Sequence, residues 1–170
     1  IRDQIKALKR QALELGIKYG NERRQFKKAI TTFGLIRSKL ANAATLIYAG
    51  ESMAYRLGGL IDEKTASLDS AAPDYYEKAR DVIEEFTIES SILKVFGSEA
   101  LWEIADEMVQ LYGGYGYIEE YPIERVLRDA RINRIFEGTN EINRLIVPAT
   151  LFKDAMKGEL PLMDYVAQVM

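Results

Sequence analysis

The 170 residues carry a net charge of −3, with 48% hydrophobic and 29% charged residues, a balance that suits one globular domain. It excludes a disordered chain and a general nucleic-acid binder. With no Cys and no His, the chain has no disulfide, thiolate nucleophile, zinc ribbon or imidazole base, and proton transfer is left to carboxylates, Lys, Tyr and hydroxyls.

The chain opens Ile1-Arg2-Asp3-Gln4, with no signal or transit pattern, and no apolar run approaches the ~20 residues of a membrane span. It is therefore expected to be a soluble piece of a cytoplasmic or organelle-matrix protein, not membrane-spanning. Ile1, Ile5, Leu8, Ala12, Leu15 and Tyr19 recur at spacings of three and four and predict a first helix with one apolar face. Lys6, Lys9, Arg10, Glu14 and Lys18 fall mostly on the other side of it. A second helix is predicted from about Phe33 to Leu60, weakened at its end by Gly58-Gly59.

Pro73, Asp74 and Glu77 mark the start of a third helix, since Pro tolerates a first turn and carboxylates favour the positive end of the dipole. Its apolar positions run through Ile83, Phe86, Leu93, Phe96 and Ile104 towards Gln110, and Gly113-Gly114-Tyr115-Gly116 ends it. A short segment, Ile123 to Asp129, follows. The last helix begins near Thr139 as N-cap, and Pro148 is expected to kink it or end it early. Strand-like alternation is scarce. The pattern predicts a single all-α domain over residues 1–170, an antiparallel four-helix bundle, with Phe33, Ile36, Leu40, Ile83, Phe86, Leu93, Phe96 and Trp102 buried.

Three places could carry chemistry. Gln110-Leu111-Tyr112-Gly113-Gly114-Tyr115-Gly116 either lets a ligand approach the backbone or is a helix C-cap and tight turn; without a preceding strand it is no dinucleotide fingerprint. Glu137, ahead of Gly138 and Thr139, either projects into an apolar cleft as a general base or favours a helix N-terminus with its charge. The cationic stretch Asn21 to Lys28 either holds a phosphate through Arg or is a solvated loop. No metal-ligand cluster is read.

In this order the motifs do more than they do singly. Arg23-Arg24-Gln25-Phe26, Gln110 to Tyr117, Glu120-Tyr121-Pro122, Arg128-Asp129-Ala130-Arg131 and Ile135-Phe136-Glu137-Gly138-Thr139-Asn140-Glu141-Ile142 resemble the C-terminal helical domain of acyl-CoA dehydrogenases. The resemblance runs from the first helix to about Lys157. Phe33-Gly34-Leu35-Ile36, Glu51 to Tyr55 and Phe96 to Ala100 look most like the very-long-chain branch.

The resemblance implies a flavoprotein that converts acyl-CoA to trans-2-enoyl-CoA, with FAD taking the hydride and electron-transfer flavoprotein as acceptor. It implies Glu137 as the base, its own N–H helping to polarise the thioester carbonyl, and Gly138 as a substrate contact. It implies Thr139, Asn140 and Glu141 as an FAD-contacting turn. Arg23, Arg24 and Gln25, with Gln110, Leu111, Tyr112, Gly113 and Gly114, are implied to reach FAD across a homodimer or within a homotetramer. The location implied is a bacterial cytoplasm or the mitochondrial matrix.

Lys27 and Gly34 depart from the commoner Gly and Gln of the pattern, and Pro148 is unusual. The family's N-terminal helical and middle β-domains, and the further C-terminal region of the very-long-chain branch, are not in the sequence. A bundle serving oligomer assembly without chemistry, or a helical interaction module, are the alternative readings.

Overall fold

The structure is a computed structural model that describes residues 2–169 and the side chains of all of these except residues 2, 3, 163 and 164, so Ile1 of the first apolar stripe lies outside it. Helix α1 (Arg2–Glu22) leads into a two-stranded ribbon, β1 (Arg24–Gln25) and β2 (Lys28–Ala29), and a 3-10 turn (Ile30–Thr32). There follow α2 (Gly34–Ala66), α3 (Tyr75–Glu85), α4 (Thr87–Tyr112), a second 3-10 turn (Gly113–Tyr117), α5 (Ile123–Ile132), α6 (Asn140–Lys157) and α7 (Leu162–Val169).

Helix α4 is the axis. It packs against α1, α2, α5 and α6, so it must be apolar on more than one side, and Leu101, Ile104, Ala105, Met108 and Leu111 are all buried. The facing helices contribute Ile5 and Ala12, Ala43 and Ile47, and Ile123, Val126 and Ala130. Burying each of the larger side chains stabilises the fold by about 1.5–3 kcal/mol. The architecture is the all-α, antiparallel four-helix bundle that the periodicity predicts.

Several boundaries differ from expectation. The third predicted helix is two: α3 ends and α4 begins at Phe86, whose buried ring anchors the break while the Thr87 hydroxyl donates to the carbonyl of Glu84. Helix α2 runs past Gly58-Gly59 to Ala66, because a glycine costs a helix only about 1 kcal/mol and the packing of α2 against α1, α3 and α4 outweighs it. Pro148 does not stop α6, which closes ten residues beyond it at left-handed Gly158. Helix α7 was not anticipated; Pro161 stands just ahead of it, where the missing N–H is harmless.

Of the eight large residues expected inside, only Phe86 is fully buried. Ile83 is 58% exposed, and Phe33, Ile36, Leu40, Leu93, Phe96 and Trp102 are half-buried. Phe33 and Ile36 pack against the core while also lining a cleft, and Leu93 lines another cleft. The opposite correction falls on Lys9, expected on the polar side of α1, which is 3% exposed within the buried row Ile5, Lys9, Ala12, Gly16 and Gly20.

Candidate functional site

The segment Phe136 to Asn140 reverses the chain between α5 and α6 in a tight, left-handed turn. Glu137 has φ +54° and Gly138 φ +76°. An L-residue rarely adopts the first of these, which stores of order 1–3 kcal/mol unless the surroundings enforce it. Here they do. The carbonyl of Gly138 accepts from Lys94 Nζ at 2.7 Å and from Asn143 Nδ2 at 2.9 Å. A Cβ on Gly138 would lie 3.1 Å from that same Asn143 nitrogen, so the position also has little room for a side chain.

Thr139 caps α6, its hydroxyl accepting from the N–H of Ile142. Asn140 is 1% exposed and ties the turn to α4: its Oδ1 accepts from Lys94 at 2.8 Å and its Nδ2 donates to Ser98 Oγ at 3.0 Å and Glu99 at 3.2 Å. Arg144 Nη2 then donates to both oxygens of Glu99 at 2.7 Å. Burial pushes the Glu99 carboxyl upward, but the hydrogen bonds from Arg144 and Asn140 outweigh it and hold it below the usual carboxylate range. Burial likewise lowers Lys94, against the pull of Glu137, Glu141 and Glu99. Hydrogen bonds from its own N–H and from Thr139 hold Glu141 low.

The outcome is an exposed carboxylate on an over-determined turn. Among the described residues Glu137 makes no side-chain hydrogen bond, and its N–H makes no backbone one. It stands at the rim of a cleft of about 320 Å³ formed by α1, α2 and α4, whose walls are largely apolar: Ile5, Ala54, Leu57, Ile61 and Leu93. The apolar cleft expected beside Glu137 exists, but the carboxylate sits at its mouth.

A second, wider cleft of about 870 Å³ lies where α1, the ribbon, the start of α2 and the end of α4 meet. Tyr19 stacks on Tyr112 with centroids 4.0 Å apart, and Phe26 meets Phe33 edge-on at 6.0 Å. Burial raises both Tyr19 and Tyr112 above the ordinary phenol value. The Arg23 guanidinium lies 5.5 Å from the ring centre of Tyr115 and makes no ion pair among the described residues. Aromatic walls with one uncommitted guanidinium suit a flat, anionic ligand.

The residues singled out from sequence thus fall into two groups. Arg23, Gln25, Leu111, Tyr112, Gly113 and Gly114 line the wider cleft together, although 85 residues or more separate the two segments in sequence. Arg24 and Gln110 are exposed and do not line it; Arg24 donates instead to the carbonyl of Lys27. Lys27 and Phe26, with φ +68° and +52°, make the ribbon's reversal without the Gly that the pattern usually has. Glu137 borders the narrower cleft and Gly138 follows it in the turn, while the Asn140 side chain is turned into the protein. The sequence reading missed Lys94 and Lys9. Lys9 was visible in principle, four residues after Ile5 and three before Ala12.

The family model described as "Acyl-CoA dehydrogenase, C-terminal domain" matches residues 5–152. A probable acyl-CoA dehydrogenase of Bacillus subtilis is 49% identical over 155 residues, which are 91% of this chain and 26% of that protein. The human mitochondrial very long-chain specific acyl-CoA dehydrogenase is 45% identical over 131 residues, 77% of this chain and 17% of that protein. A crystal structure of an acyl-CoA dehydrogenase complexed with FAD, from Bacillus anthracis, superposes with a TM-score of 0.92 at 49% identity, over 96% of this chain and 28% of that one. The chain therefore spans little more than a quarter of the Bacillus relatives and less of the human one.

Proposed function

The chain belongs to the acyl-CoA dehydrogenase family, matching its C-terminal domain, and from that premise we propose that it is one helical domain of a larger FAD-dependent enzyme. That enzyme oxidises acyl-CoA thioesters to trans-2-enoyl-CoA. The observation that carries the reading is the Glu137 turn: a carboxylate and its own N–H, both without a partner among the described residues, held at the mouth of an apolar cleft by Lys94, Asn140 and Asn143.

An acyl chain entering that cleft leaves its thioester at the rim. The N–H of Glu137 donates to the thioester carbonyl, which makes the neighbouring C–H more acidic, and the Glu137 carboxylate takes the α-proton. Gly138 borders the substrate where a side chain would crowd Asn143. Lys94 holds the carbonyl of Gly138 and thereby the turn.

The wider cleft fits FAD in kind. Arg23 offers an uncommitted cation for a phosphate, Gln25 an amide, and Tyr112 and Tyr115 flat apolar faces beside Gly113 and Gly114. Bound there, FAD supplies the two-electron acceptor that a dehydrogenation needs. Arg23 and Gln25, with Leu111 to Gly114, serve the cofactor across a homodimer or homotetramer. Thr139 and Glu141 serve it from the α6 start. Electron-transfer flavoprotein accepts the electrons, in a bacterial cytoplasm or the mitochondrial matrix.

The test is Glu137→Gln in the flavin-loaded full-length enzyme. It keeps size and hydrogen-bonding shape but removes the base, and is expected to lower turnover by the ~10²–10⁴-fold of general-base loss. Flavin content and thermal midpoint should stay nearly unchanged. Glu63→Gln, at an exposed position of α2, should keep full activity. Near wild-type turnover in Glu137→Gln would place the base elsewhere.

A further inference from the structure

Lys9 occupies a position that an ordinary core would give to Leu or Ile. Its neighbours in the buried row of α1 are apolar or Gly, and it is 3% exposed. Gly50 leaves space beside its ammonium: a Cβ there would lie 2.9 Å from Lys9 Nζ and 3.4 Å from the Phe96 ring. Lys9 belongs to the wall of the narrower cleft, on the same wall set as Glu137.

Apart from Glu137 at the rim, the cleft's other charged groups are spoken for. Lys6 donates to the Tyr55 hydroxyl. Lys94 donates to Gly138 and Asn140. Glu51 accepts from Arg10 on both oxygens, at 2.8 and 2.7 Å. Lys9 alone of these three lysines makes no hydrogen bond or ion pair among the described residues. Burying an ammonium without a partner is strongly unfavourable, and burial lowers its proton affinity even with Glu51 pulling the other way. An anion arriving in the cleft would relieve that cost.

We propose that the cleft at Glu137 takes an acyl thioester whose chain carries a second carboxylate, and that Lys9 is the residue that reads it. The inference rests on the acyl-chain reading of this cleft and adds the substrate class. Ile5, Ala54, Leu57, Ile61 and Leu93 cover the methylenes, and the Lys9 ammonium meets the distal carboxylate in a charge-assisted hydrogen bond. A simple fatty acyl chain would leave the ammonium unpaired and bind less well.

All of the walls named belong to this chain, so the chain itself can be tested. Two series of CoA thioesters, hexanoyl to hexadecanoyl and the matching ω-carboxyacyl compounds, are titrated into the isotope-labelled protein. Amide shifts of the cleft residues report the site. At one length or a narrow range of lengths the ω-carboxyacyl compound should bind about tenfold or more tightly than its plain partner, the worth of one charge-assisted hydrogen bond. Lys9→Met should erase that preference, leave plain acyl binding equal or tighter, and raise the thermal midpoint. Lys9→Gln, which keeps a polar head, serves if Lys9→Met does not fold. Equal binding of both series by the wild type, or a preference that survives in the variants, overturns the role of Lys9 and leaves the acyl cleft standing. Binding of neither series at the cleft overturns the acyl reading, and this inference with it.

Discussion

A lysine 3% exposed, with no hydrogen-bond partner among the described residues, lowers the stability of the fold that holds it. Its consequence for pH follows from linkage. Burial sets the folded-state pKa of Lys9 below the unfolded value of about 10.4, so between the two values the folded protein binds fewer protons than the unfolded one. Lys9 thus makes stability rise with pH across that alkaline window. Tyr19 and Tyr112, raised by burial, act in the opposite sense around pH 10 and above. The difference between wild type and Lys9→Met cancels them. The variant's stability advantage is expected to be full below the lowered folded-state value of Lys9 and to shrink as the pH climbs from there towards about 10.4, as read by thermal melts over a pH series. An advantage that does not change with pH would mean that the Lys9 ammonium is not burdened by burial.

At the scale of one element, α6 begins where the chemistry is. The Thr139 hydroxyl satisfies the N–H of Ile142, one of the donors that a helix start leaves unpaired. Thr139→Ala should cost about 1 kcal/mol in urea unfolding, within the range known for lost caps. The fold should survive it, because Asn140 and Asn143 still anchor the turn through Lys94, Ser98, Glu99 and Gly138. A loss within error of zero would show that those bonds alone define the helix start. The break between α3 and α4 follows the same logic: a buried ring at Phe86 and the Thr87 hydroxyl on Glu84 decide where a helical pattern turns.

Across the whole molecule, apolar surface is left uncovered along α6 and beyond. Leu145, Phe152 and Met156 are exposed, the last two by 63% and 90%, and Phe26 and Leu35 stand open beside the wider cleft. Apolar surface of this extent is typical of an interface. Light scattering is expected to find dimers or larger species as the concentration rises, and Phe152→Glu to shift the balance towards monomer. Monomer alone at every concentration would count against cofactor contacts shared between copies. Among the described residues no helix is long and apolar enough to cross a membrane, and no cluster of carboxylates is arranged to hold a metal ion.

Local chemistry made much of this protein legible from sequence. Spacings of three and four marked the helices, Thr139 marked the start of α6, and the glycines after Tyr112 marked the end of α4, because each depends on residues within a turn or two. Glu137 stood out from its neighbours in the chain. What depends on distant residues required the tertiary structure. Arg23 and Gly113 share a cleft because α1 lies against α4, and Lys94 holds the Glu137 turn from a helix 44 residues earlier. Lys9 looked like one more polar residue of an amphipathic helix. Gly50 of α2 leaves space beside its buried ammonium, a fact of packing between helices that the periodicity of α1 alone does not contain.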